Sequence, residues 1–164
     1  MDTKIQKLLK KLISEEWLAG QMYKLFIIVM QDQIDENILE TFNITANDEL
    51  NDHMAKLIIF AQTHGFNVPA TYKEFIKFAN QDDVKQFESF KNGKNIEYYL
   101  DESIKSEENA VKSYTDAINE IEKYDSNASY EFSLILNQIL FDEIEHLQTF
   151  TFIKTQLEAL KEYM

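Results

Sequence analysis

The sequence predicts an all-α protein, an antiparallel bundle of four long helices with one long crossover between the second and third helices. Four segments carry apolar residues at alternating steps of three and four, which is the spacing of a helix packed along one face. The 164 residues include only three Gly and one Pro, whereas sheet-rich folds need these residues at many turns. Short links within the first and last pairs of segments favour antiparallel neighbours.

The four predicted helices span about residues 4–30, 35–64, 96–124 and 129–163. Asp35 has the short acceptor side chain of a helix N-cap, and Gly65 is typical of the residue that follows a helix. The crossover between the second and third helices covers residues 65–95, and a short helix is expected within it at Tyr72–Phe78. A chain of this length suits one domain, and residues 1–164 are expected to form it.

The composition argues against several classes of function. The net charge is −13 and all 16 basic residues are Lys, whereas nucleic-acid binders carry basic patches rich in Arg. No apolar run approaches the roughly 20 residues that span a bilayer, so no membrane association is expected. The chain has no Cys, which excludes thiolate metal sites and fits the cytoplasm. An acidic chain attracts cations, although charge also serves solubility alone.

Six polar residues interrupt the apolar stripes near the middle of the predicted helices. They are one Glu on each helix and a His on the second and fourth helices: Glu16, Glu49, His53, Glu107, Glu143 and His146. Carboxylates in a core are costly unless they are paired or bind metal. Residues three or four apart share one helix face, so each Glu and His pair can hold one ion. The pattern predicts a buried metal site, and a buried polar network without metal is the alternative.

A repeated motif divides the chain into two similar halves. The pattern Glu-x-x-Ala-x-x-x-Tyr begins at Glu16 and ends at Tyr23, and begins again at Glu107 and ends at Tyr114. A Glu and His element follows each copy about 35 residues after its Glu. Two helical hairpins related by a pseudo-twofold axis would bring four Glu and two His to one centre, the set found in di-iron carboxylate bundles.

With these motifs the chain resembles the ferritin-like superfamily, especially bacterioferritins and Dps-like proteins, over about residues 4–160. The resemblance implies two Fe ions, with Mn or Zn possible on the same donors. It makes Glu16 and Glu107 terminal ligands and makes Glu49 and Glu143 bridging ligands. The two histidines, His53 and His146, would each bind one ion. Tyr23 would join the catalytic set by donating a hydrogen bond to a ligand carboxylate, or by donating an electron.

The second helix departs from the family pattern. Glu49 and His53 are four residues apart rather than three. A π-bulge would absorb the extra residue; otherwise one ion is held loosely, and Asp48 or Asp52 replaces Glu49.

Two neighbouring features also bear on the resemblance. The haem-ligating Met of bacterioferritins would fall near Leu50 or Asn51, and neither side chain ligates haem, so no haem is expected. Glu15 and Glu108 lie beside predicted ligands and are expected to be solvated.

The resemblance implies ferroxidase activity, in which Fe(II) is oxidised by dioxygen or hydrogen peroxide and the iron is stored or detoxified. It also implies a homo-oligomer, with a 12-subunit cage as one form. Two alternative functions stay open on the sequence alone. One is a di-metal peroxidase or oxygenase without storage, similar to rubrerythrins, and the other is a metal-free acidic helical scaffold.

Overall fold

The computed structural model describes residues 2–163 and contains no strand within that range. The helices are α1 (Asp2–Met30), α2 (Glu36–Asn47), α3 (Met54–Thr63), α4 (Tyr72–Phe78), α5 (Gln81–Ser89), α6 (Ile96–Ile121) and α7 (Asn127–Glu162). A π-helical turn at Asp48–His53 joins α2 to α3, so the two form one continuous long helix. The four long helices and the crossover between the second and third confirm the predicted fold.

At both ends of the second long helix, the residues that predicted its bounds form the expected terminal structure. The Asp35 carboxylate accepts a bond from the backbone N–H of Asn37 at 2.8 Å. Gly65 has a φ of +73°, the left-handed conformation that glycine adopts without strain. The N–H of Phe66 then reaches back to the carbonyl of Ala61 at 2.8 Å, which satisfies a carbonyl at the end of α3. Both predicted helix boundaries are therefore confirmed.

The last helix begins two residues before the predicted start at 129. Ser126 and Ser129 form a reciprocal capping box at its N-terminus, and Ser129 also donates from Oγ to the carbonyl of Tyr124 at 2.9 Å. The serine pair therefore starts the helix earlier than the apolar stripe indicates.

The crossover contains two short helices instead of one. The first, α4, has the predicted bounds and packs on α1 through Phe75, whose ring stacks on Trp17 at a centroid distance of 4.9 Å. The second, α5, was not predicted. It has no buried residue, and its apolar Val84 and Phe87 are only half-buried, so its short apolar face is not distinctive in the sequence.

The apolar core consists of two clusters with a gap between them. One cluster takes residues 5–13 of α1 and residues 132–139 of α7, and the other takes residues 22–30 of α1 and Phe150 of α7. The polar residues of the stripes lie in the gap. The core thus places them at mid-height in the bundle, with apolar side chains above and below.

At the same height α1 approaches the second long helix closely. A Cβ atom built on Gly20 would lie 2.3 Å from Cγ of Leu50, which belongs to the π-helical turn. Such a distance is far inside van der Waals contact, so glycine permits this approach. Separately, no helix in residues 2–163 combines the length and apolar character needed to cross a membrane.

Candidate metal centre

The structure brings all six predicted ligands together in the gap between the two apolar clusters. Their exposed fractions are 4% for Glu16, 1% for Glu49, 0% for His53, 1% for Glu107, 1% for Glu143 and 8% for His146. Each of the four long helices contributes, because the stripe position that faces the bundle axis at this height is polar on every one. Buried charges of this kind need partners or metal.

The six residues form two overlapping sets, each with ligand atoms within 4.8 Å of one another. The His53 subsite consists of Glu16, Glu49, His53 and Glu143, and the His146 subsite consists of Glu49, Glu107, Glu143 and His146. Glu49 and Glu143 belong to both sets. Two subsites that share two carboxylates have the layout of a pair of ions bridged by those carboxylates.

The distances from the histidine Nδ1 atom to the surrounding carboxylates are similar in the two subsites. Nδ1 of His53 lies 2.9 Å from Glu143, 3.5 Å from Glu49 and 3.6 Å from Glu16. Nδ1 of His146 lies 3.3 Å from Glu49, 3.6 Å from Glu143 and 3.7 Å from Glu107. The pseudo-twofold relation between the hairpins therefore extends to individual atoms of the cluster.

Each of the six residues directs one buried polar atom without a hydrogen-bond partner into the cluster. These atoms are Glu16 Oε2, Glu49 Oε1, His53 Nδ1, Glu107 Oε2, Glu143 Oε1 and His146 Nδ1. Leaving one buried polar atom unpaired costs about 1–3 kcal/mol. Six such atoms at one place fit a metal site, in which bound ions would engage them. Carboxylate and imidazole donors fit Fe, Mn or Zn equally well.

The π-helical turn resolves the unusual spacing on the second long helix. The N–H of Met54 donates to the carbonyl of Glu49, five residues back, so this turn contains one residue more than an α-helical turn. Glu49 and His53 therefore both face the centre. The two alternative ligands bond to other groups instead. Asp48 accepts a hydrogen bond from Nε2 of His146, the ring nitrogen that faces away from the cluster, and Asp52 accepts one from Lys56 Nζ at 2.9 Å.

Two aspartates hold the outer nitrogens of the histidines. Nε2–H of His53 donates to Asp142 at 3.0 Å, and Nε2–H of His146 donates to Asp48 at 2.9 Å. Such bonds fix the tautomer and ring orientation of a ligating histidine. Neither role was predicted from the sequence, although an Asp-Glu dipeptide recurs at 48–49 and at 142–143.

Two buried tyrosines hold the terminal carboxylates, each from the opposite hairpin. Tyr23 donates to Glu107 Oε1 at 2.5 Å, and Tyr114 donates to Glu16 Oε1. Burial, and then the nearby carboxylates, raise the pKa of both phenols above the usual value, so both remain neutral donors. The role of Tyr114 was missed, although it ends the second copy of the repeated motif.

Burial and the neighbouring charged groups shift the pKa values of five of the six side chains in this cluster. Burial alone would lower the pKa values of His53 and His146, but the surrounding glutamates outweigh it and raise both above their usual range. Burial, and then Glu143, raise the pKa of Glu107 to about 8, and the same two causes raise that of Glu49. Burial would also raise the pKa of Glu143, yet the two histidines lower it to about 2. Metal binding must displace the protons held here.

Of the two glutamates that were expected to be solvated, one is not. Glu108 is exposed as expected. The side chain of Glu15 is only 19% exposed, because it turns into a cleft between α1 and α6 rather than away from the bundle.

Comparison with known proteins identifies the fold. No protein-family model matches the sequence, and no curated protein matches it. Among solved structures, the chain is similar to the dodecameric thioferritin of Bacteroides fragilis, described as a bacterioferritin-related protein. The TM-score is 0.81 at 19% sequence identity, over 100% of this chain and 92% of that chain. The chain therefore has the ferritin-like fold.

Proposed function

We propose that this protein is a ferroxidase, which oxidises Fe(II) at a pair of metal subsites within one subunit and stores or detoxifies the iron. The observation that carries the proposal is the convergence of six buried, unpartnered ligand atoms in two sets that share two carboxylates. A metal-free polar network would hold these atoms only by charge attraction between the histidines and the glutamates, without hydrogen bonds, which disfavours the scaffold alternative.

The four carboxylates have two different roles, which depend on whether they belong to one subsite or to both. Glu49 and Glu143 belong to both subsites and bridge the ions, whereas Glu16 and Glu107 each belong to one subsite. Four carboxylates offset the charge of two divalent ions, so the loaded centre is close to neutral despite its burial. Carboxylate oxygens also favour Fe(III) over Fe(II), which assists oxidation.

The redox chemistry needs two electrons, and two Fe(II) substrate ions supply one each. Together with two protons these electrons reduce dioxygen to hydrogen peroxide, or hydrogen peroxide to two molecules of water. Tyr23 and Tyr114 keep the terminal carboxylates in position through their hydroxyl groups. Tyr23 is also placed to donate an electron, because its hydroxyl directly contacts a proposed ligand.

Storage implies assembly of several subunits, and the surface supports it. Leu134, Phe141 and Phe152 are 63–66% exposed and lie on one face of α7, because steps of seven and eleven residues return to the same side of a helix. Exposed apolar patches mark interfaces. The similar protein from Bacteroides fragilis is a dodecamer, and we propose a homo-oligomer of that kind, located in the cytoplasm where iron is reduced.

Anaerobic titration with Fe(II), followed by exposure to dioxygen, tests the proposal. We expect saturation at two ions per chain, and then oxidation at the centre with Fe(III) retained by the particle. Glu143→Gln should abolish the bridged pair and the fast oxidation, whereas Glu145→Gln, on the exposed side of the same helix, should change neither. Saturation well below two ions per chain, or unchanged behaviour of Glu143→Gln, would overturn the proposal. Oxidation without retained Fe(III) would instead identify a peroxidase or oxygenase without storage.

A further inference from the structure

A cleft leads from the surface to the metal centre between α1, α6 and the start of α5. It encloses a cavity of about 50 Å³. The inner wall consists of carboxylates of the centre, Glu16, Glu49, Glu107 and Glu143, and the outer wall includes Glu15 and Asp83. None of the residues that line this cavity is basic, so no lysine on its walls repels an entering cation.

The two outer carboxylates belong to different elements and line the same cavity. Glu15 comes from α1, where it lies 3.9 Å from Lys11 Nζ. Asp83 comes from the first turn of α5, where it is half-buried while its neighbour Asp82 is exposed. Both residues also line an outer chamber of about 40 Å³, whose lining includes Lys105. Glu15 and Asp83 therefore stand where the outer chamber meets the inner cavity.

Buried atoms of the proposed metal ligands lie at the inner end of the cleft, in addition to the acidic residues at its mouth. Glu16 and Glu107 line the cavity, and Oε2 of each is buried without a hydrogen-bond partner. These atoms indicate a ligand at the inner end. The helix that covers the outer end, α5, has no buried residue, so a small displacement of this cover breaks few packing contacts.

We propose that this cleft is the route by which divalent metal reaches the centre, with Glu15 and Asp83 forming a transfer site at its mouth. The inference rests on the proposed function, since it requires the two-metal centre. Acidic walls with low-dielectric surroundings concentrate cations and accelerate their association by about 10- to 1,000-fold. Two carboxylates bind a hydrated divalent ion weakly, and the larger ligand set further in then takes it up.

Stopped-flow binding of Co(II) under anaerobic conditions measures this step without turnover, because Co(II) changes its visible spectrum when it gains protein ligands. The double variant Glu15→Gln/Asp83→Asn should load at least about tenfold more slowly at low ionic strength. Its final spectrum and its stoichiometry of two ions per chain should equal those of the unmodified protein.

A control variant of equal charge separates local from global electrostatics. Asp32→Asn/Glu40→Gln removes two exposed carboxylates, one in the turn between α1 and α2 and one in the first half of α2. Along the helices they lie about 24 Å from Glu16 and about 14 Å from Glu49, respectively. This control variant should load at the unmodified rate. Equal rates for both double variants would overturn the transfer site.

A third variant narrows the route without changing charge. Ser106 is half-buried and lines both the inner cavity and the outer chamber, so Ser106→Met should slow loading and leave the end state unchanged. Unslowed loading of a folded Ser106→Met would place the route elsewhere. Failure of the unmodified protein to take up two ions would instead defeat the proposed function, and the two failures are thus distinguishable.

Discussion

At the scale of single residues, each histidine of the centre uses its two ring nitrogens differently. Nδ1 faces the shared carboxylates, and Nε2 is bonded to an aspartate from the other hairpin. Each aspartate directly precedes a proposed bridging glutamate, Asp48 before Glu49 and Asp142 before Glu143. Each Asp-Glu pair therefore supplies one proposed metal ligand, its glutamate, and orients the histidine that the other hairpin contributes. The two halves of the site thus depend on each other.

Removing this orienting bond should weaken metal binding without eliminating it. Asp142→Asn is expected to lower Zn(II) affinity at the His53 subsite by about 10- to 100-fold, the range typical of such partners, while two ions still bind at saturation. Isothermal titration calorimetry measures both quantities. Asp116→Asn is the control, since Asp116 is exposed on α6 and bonded to Lys112 on the same helix. An equal loss in the control, or none in Asp142→Asn, would contradict the assigned role.

The buried carboxylates predict how the stability of the metal-free protein depends on pH. Glu107 has a pKa raised from 4.5 to about 8, and that of Glu49 is also raised. Between about pH 5 and 8 the folded state keeps protons that the unfolded state has lost, so stability falls as pH rises. The raised pKa values of the two histidines act in the same direction above pH 6.5.

Urea denaturation of the metal-free protein across this pH range measures the effect. Glu107→Gln should flatten the dependence, because its amide does not titrate. The lowered pKa of Glu143, about 2, adds stability that is lost only as pH falls below 4.5. A free energy of unfolding that increases from pH 5 to 8 would show that the carboxylates are not held protonated.

At the scale of helices, the π-helical turn and α1 are fitted to each other. The extra residue turns both Glu49 and His53 inward and presses Leu50 against α1. Gly20 leaves the space that Leu50 occupies. The close contact thus holds the irregular turn in the register that the centre requires.

Gly20→Ala tests this contact. Alanine favours a helix over glycine by about 1 kcal/mol, yet here its Cβ would overlap Leu50, and overpacking costs about 1–3 kcal/mol. We expect net destabilisation and weaker metal binding, measured by denaturation and by titration. Gly93→Ala is the steric control, because Gly93 lies between helices and an added Cβ there would meet no atom within 4 Å beyond the glycine and its two chain neighbours. A more stable Gly20→Ala protein with unchanged metal affinity would contradict the proposed fit.

The same contacts show how far sequence reasoning reaches. The long helices and the six inward polar residues were predictable, because a regular apolar stripe shows where each helix faces and which residues interrupt it. Tyr114 and Asp142 act across hairpins, so they depend on the packing of distant segments. Glu15 was expected to be solvated, and only the position of α5, which has a weak apolar face, shows why it is not.

At the scale of the whole molecule, a high negative charge coexists with an apolar face on α7. The charge of −13 keeps copies soluble and opposes association. The exposed side chains of Leu134, Phe141 and Phe152 favour association by removing apolar surface from water. Assembly therefore requires these side chains to be covered in regions where the local charge is low.

Native mass determination tests the assembly. Twelve chains of 19.4 kDa give about 230 kDa, and we expect a discrete particle of that order for the unmodified protein. Phe141→Glu should shift the mass toward smaller species at moderate salt, because it places a charge in the apolar face. A monomer of 19.4 kDa for the unmodified protein, at any concentration, would exclude a storage cage.

Anomalous X-ray diffraction from crystals loaded with Fe(II) without oxygen shows directly whether the six buried side chains hold two ions. We expect two anomalous peaks in each chain, one beside Nδ1 of His53 and one beside Nδ1 of His146, with Glu49 and Glu143 between them. A single peak, or peaks located only outside this cluster, would contradict it.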